Sequence, residues 1–165
     1  MQYTSAEAAK LLRQLNEELE AVISAEVSCR EFVAATTEDL ESVRPQYDFA
    51  ETQKEIARLE KEIRKVKHAI NTFNTTTKLP ELDMTIDEAL VYIPQLSGQK
   101  SKLAAMRKRL AKTREYSRMG SSIIEYRYAN YDVAAAEAEF KRVSELLAKA
   151  QTALDVVNNS VKFEI

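Results

Sequence analysis

Two stretches of this chain carry apolar residues three and four apart with almost no interruption. Over 49–73 the series is Phe49, Thr52, Ile56, Leu59, Ile63, Val66, Ile70 and Phe73. Over 136–161 it is Ala136, Phe140, Val143, Leu147, Ala150, Leu154, Val157 and Val161. This spacing lays a narrow apolar stripe along one side of a helix, and the surface that covers such a stripe well is another helix. The expected fold is therefore all-α, an antiparallel bundle of long helices with coiled-coil hairpins. The same feature limits functional inference, because a coiled coil is a shape and not a reaction.

Composition agrees with that reading. A chain of 165 residues is expected to form one helical domain over 1–165, long enough to bury a core. Two glycines and three prolines leave few breaks. Charged residues at 30% and hydrophobic residues at 45% suit amphipathic helices with solvated outer faces, and the apolar fraction is too high for disorder.

The net charge of −2 conceals a strong segregation. Residues 1–53 hold 4 basic and 11 acidic side chains, 54–118 hold 15 and 8, and 119–165 hold 5 and 7. An acidic block beside a basic block predicts complementarity within the chain or between subunits. The alternative is a basic surface for nucleic acid.

Thr4 with Glu7 forms a T-x-x-E capping box and starts a helix at Thr4 or Ser5. Its seam is Ala8, Leu12, Leu15, Leu19, Val22, Glu26, Cys29 and Val33, widened by Leu11, Ile23 and Val27. Glu26 either forms a register-fixing polar layer or turns outward. A connection over 34–47 contains Pro45 and a short helical turn near 39–43. Asp48 with Glu51 opens a second helix that is expected to end near Thr72. Asn71, Asn74 and Thr75–Thr77 compete with helix, so 71–85 is expected to be an ordered loop.

Thr85 with Glu88 opens a third helix, whose stripe is Ile86, Leu90, Ile93, Leu96, Leu103, Met106 and Leu110. Pro94, followed by Ser97-Gly98, is expected to kink or split it. Within 122–130, Ile124, Tyr126 and Tyr128 alternate with Glu125 and Arg127, a strand pattern and the one small extended element expected. A strand needs a partner, expected near 34–47 or in a second subunit, which argues for an oligomer or an exchanged β-arm. Asp132 caps a last helix that ends near Asn159, and Val161, Phe163 and Ile165 form an apolar tail that docks on the bundle or on a neighbour.

Five short runs carry a family resemblance. They are Ile70-Asn71-x-x-Asn74-x-x-Thr77, Thr85-Ile-Asp-Glu88-Ala89-Leu90, Tyr116-Ser117 with Ile124-Glu125-Tyr126, and Leu154-Asp155-x-x-Asn158. Together they resemble a family of small uncharacterised bacterial helical proteins, some of which are labelled septicolysin-like. The resemblance covers about 56–160 and implies an all-helical coiled-coil fold, with no established activity. Where that family often carries an Arg-Asp pair after the Ala-Leu, this chain departs, with Val91-Tyr92-Ile93-Pro94.

Chemistry-bearing residues are sparse. His68 is the single histidine, and Lys65 stands where a Glu-x-x-His metal pair needs its carboxylate. Gly98 and Gly120 are too few for a phosphate-binding loop. Cys29 is read as a small buried core residue in a reducing compartment. No signal peptide is expected, and no apolar run reaches the roughly 20 residues that span a bilayer, so the protein is expected in the cytoplasm and off the membrane. No catalytic residue, metal, cofactor or small-molecule substrate is nominated.

One region invites a binding hypothesis. Lys100, Lys102, Arg107, Lys108, Arg109, Lys112, Arg114 and Arg118 face only Glu115 within 100–118. Read as helix, 108, 112 and 115–116 share one face, and 107, 114 and 118 another. With Tyr116 and Tyr126 close by, the candidate nucleic-acid contacts are Arg107, Lys108, Lys112, Arg114, Arg118 and Arg127. The leading expectation is a non-enzymatic cytoplasmic structural or interaction protein, a homo-oligomer (dimer or larger) joined through coiled-coil helices. The alternative is a nucleic-acid-associated coiled-coil protein that acts through the basic 100–118 region.

Overall fold

The computed structural model describes residues 1–115 and 124–165. In chain order the elements are β1 (Gln2–Thr4), α1 (Ser5–Cys29), α2 (Leu40–Val43), α3 (Phe49–Thr76), α4 (Ile86–Met106), β2 (Lys112–Glu115), β3 (Glu125–Tyr128), α5 (Val133–Ser160) and β4 (Lys162–Glu164). The class is all-α with two small antiparallel sheets, β1 with β4 and β2 with β3. The residues group into two compact units, Met1–Asn74 with Val157–Ile165, and Thr75–Val156.

In the first unit α1 opens on the complete capping box. The Glu7 N–H donates to Thr4 Oγ1 at 3.2 Å and the Thr4 N–H donates to the Glu7 carboxylate at 2.8 Å. The core is Leu15, Leu59, Ile63 and Val66, with Leu11, Leu12, Leu19, Val22, Ile70 and Ile165 packed against it. The α1 seam gives out before its expected end. Ile23 and Val27 are exposed, and the helix stops at Cys29, so Val33 is an exposed loop residue. Cys29 is half-buried rather than a core residue. Glu26 is a tether, accepting from the Tyr47 hydroxyl at 2.8 Å and from Gln53 Nε2 at 2.7 Å. Burial, then the bond to Glu26, push the Tyr47 phenol up.

The short α2 lies where the sequence placed a helical turn, capped by Asp39. Asp48 caps α3 through the Glu51 N–H at 3.0 Å. This helix continues to Thr76, past the expected end near Thr72, so 71–76 is helix and not loop. The reason is Phe73, which is buried and stacks on Phe163 with ring centroids 4.4 Å apart. Burying that ring outweighs the modest helix propensity of Asn and Thr. Phe163 is held by β4, where it pairs with Tyr3 of β1, so the apolar tail docks within its own chain.

In the second unit the loop 77–85 is closed by backbone bonds, Ile86 N–H to Thr77 O at 3.0 Å and Leu79 N–H to Met84 O at 2.9 Å. The capping box of α4 is complete, with the Thr85 N–H donating to Glu88 at 2.6 Å and the Glu88 N–H donating to Thr85 Oγ1 at 3.3 Å. Of the expected kink or split at Pro94, the split does not occur: the helix runs through it. Core packing on both sides of it, by Ile93, Leu96 and Leu103, holds the turns together. The core here is Leu96, Leu103, Val143, Leu147 and Ala150. Two expected stripe positions fall off it: Leu90 is exposed, and Leu110 lies beyond the helix end and is exposed.

The end of α4 decides how the basic region is read. Tyr131 donates its hydroxyl to the Met106 carbonyl at 2.9 Å, and the Arg109 N–H bonds the same carbonyl at 3.0 Å. These bonds take up an orphan acceptor of the last turn. The chain then leaves the helix and forms β2, so the helical grouping of 108, 112 and 115 does not hold. β2 pairs with β3 in the register Lys112↔Tyr128, Thr113↔Arg127, Arg114↔Tyr126 and Glu115↔Glu125. The strand partner is therefore neither 34–47 nor a second subunit, but the segment just upstream. That partner was hidden because 112–115 reads Lys-Thr-Arg-Glu, with no apolar alternation. Tyr116, Arg118 and the first residues of the expected strand lie outside the described residues. Asp132 caps α5, accepting the Ala134 N–H at 2.8 Å. Among the described residues no helix is long and apolar enough to cross a membrane.

Candidate functional site

Successive residues of a strand point to opposite faces, and paired residues share a face. The β2–β3 register therefore puts Lys112, Arg114, Tyr126 and Tyr128 on one face, and Thr113, Glu115, Glu125 and Arg127 on the other. Among the eight paired residues, the first face combines two cations and two aromatic rings with no carboxylate. Lys112 Nζ lies 4.0 Å from the centroid of the Tyr126 ring and 5.5 Å from that of Tyr128. The two rings are tilted at 51° with centroids 6.4 Å apart. Tyr126 is 44% exposed and Tyr128 62%. Arg114 is exposed opposite Tyr126, and the exposed Lys108 and Arg109 lead into β2.

The second face pairs its cation with one of its two carboxylates. Arg127 grips Glu115 with both ends of its fork, Nε to Oε2 at 2.9 Å and Nη2 to Oε1 at 2.6 Å. This bond holds the Glu115 carboxyl below its usual range and raises the Arg127 guanidinium. A cleft of about 350 Å³ lies beside the sheet, its walls including Arg109, Thr113, Glu115, Arg127, Tyr128 and Tyr131.

The six nominated residues have separate fates. Lys112 and Arg114 come together on the aromatic face, with Lys108 nearby in the chain. Arg127 is on the opposite face and tied to Glu115. Arg107 is turned into the second unit: its Nη1 lies 3.0 Å from Glu137, and its guanidinium carbon sits 3.9 Å above the Phe140 ring. Arg118 lies outside the described residues. The structure sets Tyr126, already expected near the basic run, beside Lys112 and Arg114, and adds Tyr128. The alternation at 124–128 marked these tyrosines as one face, but nothing in Lys-Thr-Arg-Glu announced the strand that sets Lys112 and Arg114 beside them.

Other concentrations of chemistry are weaker. Lys149 pairs with Glu81 at 3.1 Å beside an apolar hollow of about 360 Å³ that Pro80, Ala153 and Val156 help to line. Among the described residues no group of three or more His, Cys, Asp or Glu side chains gathers to hold a metal. His68 is exposed on α3.

No family model and no curated protein matches the chain. Among solved structures it is similar to the crystal structure of a functionally unknown conserved protein from Corynebacterium diphtheriae. The two share 15% identity at a TM-score of 0.58, over 99% of this chain and 100% of the other. At that identity the likeness extends to the fold alone.

Proposed function

We propose that this is a non-enzymatic interaction protein built from coiled-coil helical hairpins, with the Lys112–Arg114–Tyr126–Tyr128 face as a contact surface for an anionic partner. The hairpin reading pairs α1 with α3 and α4 with α5. Glu26, near the end of α1, bonds Gln53, near the start of α3, and Arg107, just past α4, pairs with Glu137, near the start of α5. Each contact sets the end of one helix beside the start of the next, as an antiparallel hairpin requires.

The observation that carries the function is the sorting of charge across β2–β3. Both cations without a carboxylate partner among the eight paired residues lie on the face that bears the aromatic rings, while Glu115 and Glu125 lie on the other. Such a face attracts anions, and the attraction weakens as salt screens it. The test is retention on immobilised polyphosphate. The wild-type protein is expected to bind at low salt and elute as salt rises, and Lys112→Glu with Arg114→Glu is expected to abolish retention. Unchanged retention of that folded variant overturns the reading.

A second reading, self-association through the coiled-coil helices, has its own support. Ile23, Val27, Phe32, Val33, Leu40 and Phe49 expose apolar surface within the acidic first third of the chain. The occupant of that surface is a second copy, whose basic block at 54–118 complements the acidic one. Light scattering at low and high salt tests it. A mass above that of one chain, falling in salt, is expected; a single-chain mass at both salts overturns it.

A further inference from the structure

We infer that the anionic partner is single-stranded nucleic acid, with successive bases stacked on Tyr126 and Tyr128 and phosphates held by Lys112 and Arg114. The inference rests on the contact surface proposed above and names what it binds.

An acidic protein would need the two cations but would make no particular use of two exposed rings beside them. The rings are 6.4 Å apart and tilted by 51°, so they do not stack on each other, and both are exposed. In a duplex the bases are already stacked on their neighbours and expose only their edges in the grooves. The bases of a single strand can splay onto aromatic side chains while a basic groove follows the backbone. Lys112 now lies over both rings. A lysine–ring contact at an exposed site is weaker than a base stacked on the same ring. An arriving base therefore displaces the ammonium, and the long lysine stem carries that charge outward to the backbone.

Arg127 contributes by its absence from this face. Its grip on Glu115 keeps a carboxylate engaged on the opposite side, where it does not repel phosphate. Stacking on tyrosine accepts any base, so the surface is expected to prefer single strands over duplex without strong sequence preference.

The experiment is a fluorescence-anisotropy titration of the full chain with a labelled oligothymidylate of about twelve nucleotides, a length in the range of known single-strand sites. The matching duplex, polyphosphate and polyglutamate serve as competitors. The single strand is expected to bind at least about tenfold more tightly than the duplex. Tyr126→Ala with Tyr128→Ala is expected to weaken single-strand binding about tenfold or more and polyphosphate binding far less, since polyphosphate has no base to stack. Tyr126→Phe with Tyr128→Phe retains the rings and is expected to keep the affinity. Lys112→Ala with Arg114→Ala is expected to weaken both ligands and to flatten the log–log salt dependence by about 1.4, two phosphate contacts on a single strand.

Polyphosphate binding with no preference for the single strand and no effect of the tyrosine variants overturns this inference and leaves the proposed contact surface intact. Polyglutamate that competes as well as the oligonucleotide also overturns it, in favour of an acidic protein. Failure to bind any polyanion overturns both. Circular dichroism of each variant separates lost contacts from lost fold.

Discussion

At the start of α1 and of α4 a threonine hydroxyl accepts one backbone N–H while a glutamate three residues on accepts another. The backbone bond, followed by the hydroxyl bond, holds the carboxyls of Glu7 and Glu88 below the usual value of 4.5. Because the folded pKa lies below the unfolded one, this stabilisation is fully present above about pH 4.5 and is lost as pH falls through the lower folded value. Chemical denaturation is therefore expected to show stability that is level near neutral pH and declines below 4.5. Thr4→Ala is expected to cost about 1 kcal/mol at pH 7 and to reduce that decline. An equal decline in the variant would show that the cap is not its source. These caps were legible in the sequence because both partners lie within one turn of each other.

Elements whose stability depends on distant partners were harder to read. α3 was expected to end near Thr72 because Asn71, Asn74 and Thr75 are poor helix formers, yet Phe73 is buried against Phe163, a residue 90 positions further along the chain. No local pattern contains that contact. β2 leaves no local signal for the same reason, since Lys-Thr-Arg-Glu is a strand only because Glu125–Tyr128 pairs with it. Pro94 is the opposite case, a strong local signal that does not split the helix, whose turns are packed on both sides of it. It deprives the Leu90 carbonyl of its helical donor, and Pro94 itself is exposed. Pro94→Ala restores that bond without filling core space, so it is expected to raise the unfolding free energy by up to about 3 kcal/mol. A loss of stability on denaturant unfolding would show that the proline shapes a helix the core requires.

On the scale of the whole molecule, the apolar seams made the fold class legible because helix periodicity survives any choice of partner. The candidate site was legible in its charges and in the tyrosine alternation, but not in the pairing that joins them. Ion pairs such as Arg58–Glu55, Arg58–Glu62 and Arg142–Glu139 are made within single helices and solvate outer faces. Arg107, which looked like part of a basic surface, is instead drawn to Glu137 and Phe140. What distinguishes Lys112 and Arg114 is their register against Tyr126 and Tyr128, a long-range fact that the basic run could not supply.

The location of the contact surface is the central claim, and backbone hydrogen exchange of the full chain, with and without excess oligothymidylate, tests it most directly. Slower exchange is expected at 112–115 and 124–128, with α1 and α3 unchanged. Slower exchange confined to α1 and α3, or no slowing anywhere at saturating oligonucleotide, would contradict the account.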